Sequence, residues 1–305
     1  MKGIRLWAGG CVFVLIVAIP AQADLLMEIR TMFGGVGGIG ASEASTVSKI
    51  KGMKKKDEMS FRFTGAIMGR LTGGPRQSTT ITRLDKDTVW TLDEKSKKYT
   101  EVPISQIREK GMTEEEKSKK EKPRPRIVRS EFSVKKTGAK KAINGFPCEE
   151  YILTWLVETE DAETKEHSIN TMTTHQWNTP ETLTIKRIQQ EQAAFDQSYL
   201  KKLGMKVSAE EMKKFGFAAF LPLGGADDKE SAKRIEELRK EMTKAKGYPI
   251  VMDVRWEMGA PTEGGSQKGA KAGKPAFSSY TEVKRLQVLS IPDLEFEIPA
   301  GYEKK

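Results

Sequence analysis

Cys148, His167 and His175 are the residues best equipped for nucleophilic or metal chemistry, and their surroundings in the sequence favour neither. A zinc or copper site needs converging His, Cys or carboxylate ligands. The two histidines are eight residues apart, and on a single strand over 165–177 they share a face but lie far apart along it. Cys148 is the one thiol besides Cys11, and a reactive thiolate needs a base that only those two histidines could provide. Coming after Asn144-Gly145-Phe146-Pro147 at the head of an apolar strand, it reads as a small buried hydrophobe. No G-x-S-x-G elbow, H-E-x-x-H helix or C-x-x-C-H heme site occurs. Asp85 and Asp87 lack the glycine and closing glutamate of a calcium loop. Gly35, Gly37 and Gly40 match G-x-G-x-x-G, but no buried strand precedes them and strand-like Ser/Thr-rich sequence follows, so they read as a flexible linker. The expectation is a protein that is not an enzyme, with no catalytic residue, no cofactor and no metal.

The aromatic residues suggest binding instead. Trp90, Trp155, Trp177 and Trp256 each fall in a predicted strand or at its end, and Phe63 closes the alternating run Met59, Phe61, Phe63. Phe217 and Phe220 lie in Phe215 to Leu223, the most apolar segment beyond the first twenty-three residues. In a curved sheet, side chains of one parity converge on the concave face. These seven residues either pack a plain core or line a cavity for an apolar chain, with Phe217 and Phe220 as plug or lid. An acyl chain needs no catalytic group to be held, since each buried methylene is worth about 0.8 kcal/mol.

The elements that would position them follow from periodicity. Val47 to Val102 reads as a β-meander, with turns at Asp85 to Asp87 and Asp93 to Lys98. Arg108 to Arg126 is a charge-dense exposed helix and stiff linker, with mixed signs and no interleaved aromatics, which argues against a nucleic-acid arm. Strands resume at Ile127, Lys136 to Lys141 makes a turn, and Asn144-Gly145 is the strongest hairpin signal. Tyr151 to Val157 is apolar on both faces and so must be covered on both. Between 182 and 247 the period becomes helical: Ile188, Phe195 and Tyr199 recur at turn spacings, Ser208 and Glu211 form a capping box, and a further helix fits Asp228 to Lys246 with Gly247 as its stop. Strands return at Met252, Val254, Trp256 and Met258. After a Gly/Lys-rich loop over 264–274, Phe277 to Leu289 and Leu294 to Ile298 close the sheet.

Lys2 and Arg5, the apolar run Val12 to Ile19 and the small residues Ala21-Gln22-Ala23 have the order of a cleaved secretory signal, residues 1–23. The run is too short for a comfortable membrane span. Processing before Asp24 removes Cys11, Lys2 and Arg5, so the formal charge falls from +10 to +8 and no internal disulfide is available. Residues 24–45 then read as a flexible Gly-rich segment, and 46–305 as a single β-rich domain with the helical insertion at about 182–247. A basic exported chain is drawn to anionic membrane surfaces.

Trp90-Thr91-Leu92-Asp93 with Lys97-Lys98-Tyr99, Ile143 to Tyr151, and Phe296-Glu297-Ile298-Pro299-Ala300-Gly301-Tyr302 carry a resemblance. Together they look like a family of bacterial secreted proteins with a domain of unknown function, similar to the periplasmic lipoprotein-carrier superfamily of LolA and LolB type. The resemblance implies an α+β, mainly antiparallel fold: an open half-barrel wrapped around short helices. It further implies a periplasmic or secreted protein whose concave face binds a lipid, lipoprotein or other amphipathic ligand. The alternative is an envelope interaction module with a fully packed core. The expected partners are a lipid or lipoprotein and an anionic membrane surface, with no nucleic acid; the oligomeric state is left open.

Overall fold

Alternation of apolar and polar side chains runs through most of the chain, and such a backbone buries one face only by pairing into a sheet. The computed structural model describes residues 24–34, 40–65, 69, 74–107, 126–204, 229–259 and 276–305, and among them twelve strands form one sheet. The strands are β1 (Asp24–Phe33), β2 (Ser42–Lys51), β3 (Lys54–Phe63), β4 (Arg76–Arg83), β5 (Thr88–Asp93), β6 (Lys98–Pro103), β7 (Arg126–Ile143), β8 (Phe146–Glu160), β9 (His167–Thr179), β10 (Tyr248–Met258), β11 (Phe277–Leu289) and β12 (Glu303–Lys304). Two helices, α1 (Leu183–Lys202) and α2 (Lys229–Met242), and a 3-10 turn at Asp293–Phe296 accompany them.

The strand order is β12-β6-β5-β4-β3-β2-β1-β11-β10-β9-β8-β7. Pairing is antiparallel except at β12, which runs parallel to β6. Two meanders, β1 to β6 and β7 to β11, meet where the N-terminal strand pairs with β11. Among the described residues β7 and β12 do not pair, so the sheet is open. No described helix is long and apolar enough to cross a membrane.

Three expectations are corrected. Residues 24–45, read as flexible, contribute β1 and the start of β2 at the centre of the sheet; Leu25, Leu26 and Met27 are buried there, because β2 and β11 flank them. Lys136 to Lys141 is no turn: β7 continues through it with a register shift between Lys136 and Lys140, and the chain reverses at Asn144 (φ 51°) and Gly145 (φ 84°), the positive pair a tight hairpin requires. Leu294 to Ile298 is not a strand but begins in the 3-10 turn and crosses the sheet. The expected signal peptide, the charge-dense helix and linker from Arg108 to Arg126 (all but Arg126, which begins β7), the Ser208–Glu211 capping box and the loop at 264–274 lie outside the described residues.

Helix α1 is held by its ends and by one stripe. The Thr182 hydroxyl accepts the Ile185 N–H at 3.2 Å, and Lys201 and Lys202 occupy the last turn, where cations favour the helix dipole. Ile185, Ile188 and Phe195 are buried in a core with Leu25, Met27 and Ile50; each fully buried side chain of this size is worth about 1.5–3 kcal/mol. Lys202 Nζ reaches Asp87 Oδ1 at 2.9 Å, tying the C-terminal end to the β4–β5 turn. At the insertion's base, Asn178 donates to the Lys246 carbonyl at 3.0 Å.

The opposite face is crossed by a strap running from Ile291 to Tyr302. Ile291 and the fully buried Phe296 pack with Ile81, Trp90 and Leu92. Its carboxylates land on cations from the sheet: Asp293 on Lys54 at 2.9 Å, Glu295 on Lys49 at 2.7 Å, and Glu297 on Lys86 at 3.0 Å and on Arg83. Lys49, Lys54 and Arg83 share that face because they occupy alternate, cross-paired positions.

Candidate functional site

Cross-strand partners share a face of the sheet and successive residues alternate, so the register assigns each candidate side chain. On the face covered at one end by α1, Phe277 lies opposite Trp256, Trp256 opposite Met172, Met172 opposite Trp155, and Trp155 opposite Phe132. Five neighbouring strands thus place a large apolar side chain in one row. The adjoining row adds Phe63 and Phe33, joined through Ser42, and Val254, joined through Ser279. The Phe33 and Phe277 ring centroids are 6.2 Å apart, which links the rows, and Phe61 meets Phe63 edge-on at 5.0 Å. From β3 to β7 the belt spans eight strands, about 34 Å at the usual strand spacing of about 4.8 Å.

Burial is deepest on β8 and β9 and falls off to either side, with Phe33 on β1 36% exposed. Trp155 and Met172 are buried, Trp256, Phe277, Phe63 and Phe132 are half-buried, and Met59 and Met258 at the margins are 42% and 62% exposed. A contiguous apolar surface that stays partly open is a mark of a binding face. Neither row carries a titratable side chain. The Trp155 indole N–H donates to Ser130 Oγ at 3.0 Å, whereas the buried Trp256 Nε1 has no hydrogen-bond partner. An orphaned buried donor costs about 1–3 kcal/mol, so an acceptor delivered beside Trp256 would be rewarded.

Of the candidates read from the sequence, Phe63, Trp155 and Trp256 are brought onto this one face. Trp90 and Trp177 have the other parity. Trp90 packs under the strap, with Lys86 Nζ 5.2 Å from the ring centroid, and Trp177 carries Lys141 Nζ at 3.9 Å. Phe217 and Phe220 lie outside the described residues. Phe33, Met172, Phe277 and Phe132 were missed as site residues; Phe132 and Phe277 begin or continue period-two runs that marked them as facing residues, whereas nothing near Phe33 marks a strand.

The polar candidates are occupied elsewhere. His167 Nδ1 lies 2.8 Å from Glu158 and His175 Nδ1 3.0 Å from Glu150, one histidine near each end of β9. Burial pushes the Cys148 thiol above its ordinary value, and Cys148 is 3% exposed. Among the described residues no group of three or more His, Cys, Asp or Glu side chains could hold a metal ion. At the α1 end of the belt face, burial raises the Asp196 carboxyl, with Asp57 nearby adding to the rise and Lys55 opposing it.

A family profile described as Domain of unknown function (DUF4412) matches residues 44–218, more than half of the 305-residue chain. The chain belongs to the DUF4412 family. The DUF4412 match begins in β2 and runs past α1, so it contains Phe63, Phe132, Trp155 and Met172, whereas Phe33, Trp256 and Phe277 lie beyond it. In this DUF4412 protein the belt is continuous only because β1, β10 and β11, from outside the matched segment, sit in the middle of the sheet. No curated protein matches the chain.

Proposed function

We propose that this DUF4412 protein is a non-catalytic binder of an amphipathic ligand, a lipid or the acyl chain of a lipoprotein, acting outside the cytoplasm. The observation that carries the reading is the continuous, partly open row Phe277–Trp256–Met172–Trp155–Phe132, without a titratable group and with one unpartnered indole N–H. Burying eight methylenes against such a surface contributes about 6 kcal/mol before ordering costs. The Trp256 N–H offers an ester or amide carbonyl a place beside the chain. In this reading the open sheet works as the half-barrel of the LolA and LolB carriers does, with α1 closing one end of the concave side, and the basic leader followed by Ala21-Gln22-Ala23 directs export.

The test is a titration of delipidated protein with a dansyl-labelled fatty acid, read by energy transfer from tryptophan. Saturable transfer that falls in a Trp256 variant and persists in a Trp177 variant supports the reading. Failure of the probe to bind, with no acyl species seen by native mass spectrometry of the protein as purified, overturns it.

A further inference from the structure

The tip of the β7–β8 hairpin is fastened to a strand that is not its neighbour. In the sheet β9 and β10 lie between β8 and β11, a separation of about 14 Å at the usual strand spacing. Yet Asn144 at the tip donates through Nδ2 to Glu282 Oε1 and to the Val283 carbonyl of β11, both at 2.8 Å. It does so on the face away from the belt, where the pairings set Glu150, Trp177, Val251 and Glu282 in one row. Lys141 of the same hairpin rests on the Trp177 ring, and Ile143, Phe146, Cys148, Trp177, Val251 and Val283 share one apolar cluster. The tip is folded back across β9 and β10, with Asn144 as its polar anchor. Glu282 is 9% exposed and is also bonded by Lys284 at 2.7 Å. Burial pushes its carboxyl up, but the bonds from Lys284 and Asn144 prevail and hold it below its ordinary value of 4.5, so it is ionised at neutral pH.

We propose that Asn144 is a deamidation site and that the reaction unfastens this hairpin. Both Asn144 and Gly145 are exposed, and with no side chain on Gly145 its backbone nitrogen can approach the Asn144 side chain closely. That nitrogen attacks Asn144 Cγ and gives up its proton, the Cγ–Nδ2 bond breaks, and ammonia leaves. Water then opens the cyclic imide at either carbonyl, giving aspartate at 144 or its isomer with the main chain routed through the former side chain. While Nδ2 is bonded to β11 the amide is held away from this reaction, so ring closure starts from the locally opened tip. The product cannot refasten. A carboxylate at 144 brings only acceptors to the Glu282 carboxylate and the Val283 carbonyl, leaving two like charges face to face and two bonds unmade. Lys284 and Arg30, the cross-strand partner of Glu282, offset part of that repulsion but supply no donor to the tip's own anchor.

Asn144→Asp reproduces the product, and because Asp-Gly supports the same turn as Asn-Gly it changes the anchor and spares the turn. Cys148, buried four residues further on, reports the opening. Under native conditions iodoacetamide should label Cys148 about tenfold faster in Asn144→Asp than in the unmodified chain, in proportion to the opened population. Asn144→Gly keeps the turn and loses the amide without gaining a charge, so its rate should fall between the two. Adding Glu282→Gln to Asn144→Asp returns a donor to the pair and should slow labelling again. Circular dichroism reports whether each variant is folded. In the unmodified chain stored at mildly alkaline pH, peptide mass spectrometry should find the amide at 144 replaced by an acid, with labelled Cys148 concentrated in the converted fraction. This arm needs no variant to fold. An Asn144→Asp chain labelled no faster than the unmodified one, storage that leaves Asn144 intact, or a converted fraction whose Cys148 stays silent overturns the proposal.

Discussion

Trp256 on β10 and Trp155 on β8 stand in one row of the sheet, two strands apart, with Met172 of β9 between them. They differ in what surrounds them: Trp155 is 6% exposed with its indole N–H bonded to Ser130, while Trp256 is half-buried with its N–H unpartnered. Trp155 is a packing residue. Trp256 leaves its buried N–H unsatisfied.

Substitution should separate the two. Trp155→Ala is expected to cost about 3–5 kcal/mol of stability, measured by urea unfolding. Trp256→Phe removes an orphaned donor and should leave stability unchanged or raised, while Trp256→Ala should weaken fatty-acid probe binding by about tenfold through lost apolar contact. Trp177→Ala, on the opposite face, should bind the probe like the unmodified chain. Equal losses at Trp256 and Trp177 would mean that the belt is not the binding surface.

The strap should weaken in acid. Hydrogen bonding from Lys49 holds the Glu295 carboxyl below its ordinary value of 4.5, and at Glu297 burial pushes up but the bonds from Lys86 and Arg83 prevail and hold it down. Asp85, bonded by Arg83, is likewise lowered from 3.8. Carboxyls depressed in the folded state contribute stability that is fully present above the unfolded values and is lost as pH falls through the folded ones. The melting temperature should therefore hold from neutral pH to about pH 5 and then drop. Glu297→Gln should cost about 1–2 kcal/mol at neutral pH and flatten the drop; an unchanged acid profile would remove the ion pairs from the account.

Cys148 should be chemically silent while the protein is folded. Its thiol donates to the Phe146 carbonyl at 3.4 Å, and burial keeps the proton on sulfur. Iodoacetamide should label Cys148 only after denaturation, as read by peptide mass spectrometry. Rapid labelling of the native protein at that residue would instead show an accessible thiolate.

Gly247 and Gly138 separate backbone conformation from space. Both have positive φ, +95° and +84°, but a Cβ on Gly247 would lie 2.2 Å from the Thr179 carbonyl oxygen whereas one on Gly138 meets nothing within 4 Å. Gly138→Ala should cost about 1 kcal/mol from conformation alone, and Gly247→Ala about 3 kcal/mol, because the two ends of the helical insertion must move apart. Equal melting temperatures for the two variants would contradict the close approach.

Much of the architecture was legible because alternation is a local signal. Met59-Ser60-Phe61-Arg62-Phe63 and Met252 to Met258 could bury one side only as strands, and Asn144-Gly145 could turn as it does because both residues tolerate positive φ. The same signal misled at Asp293-Leu294-Glu295-Phe296-Glu297-Ile298. Alternating acids and hydrophobes describe any extended segment with two different surroundings, and here the surroundings are a lysine-studded sheet face and the core around Trp90. β1 was missed because Leu25-Leu26-Met27 has no alternation to read: it lies at the centre of the sheet, where flanking strands and covering elements bury consecutive residues.

By itself the sequence determined that this protein is mainly antiparallel β with a helical insertion, since side-chain period and turn chemistry act over a few residues. It also set out the aromatic residues among which the belt was found. Only the tertiary structure decided which of them share a surface. Phe63, Trp155 and Trp256 meet on one face, while Trp90 and Trp177 face the other way, because facing depends on register carried through up to eight strand pairings, and one residue of slip anywhere in that chain of pairings would reverse it.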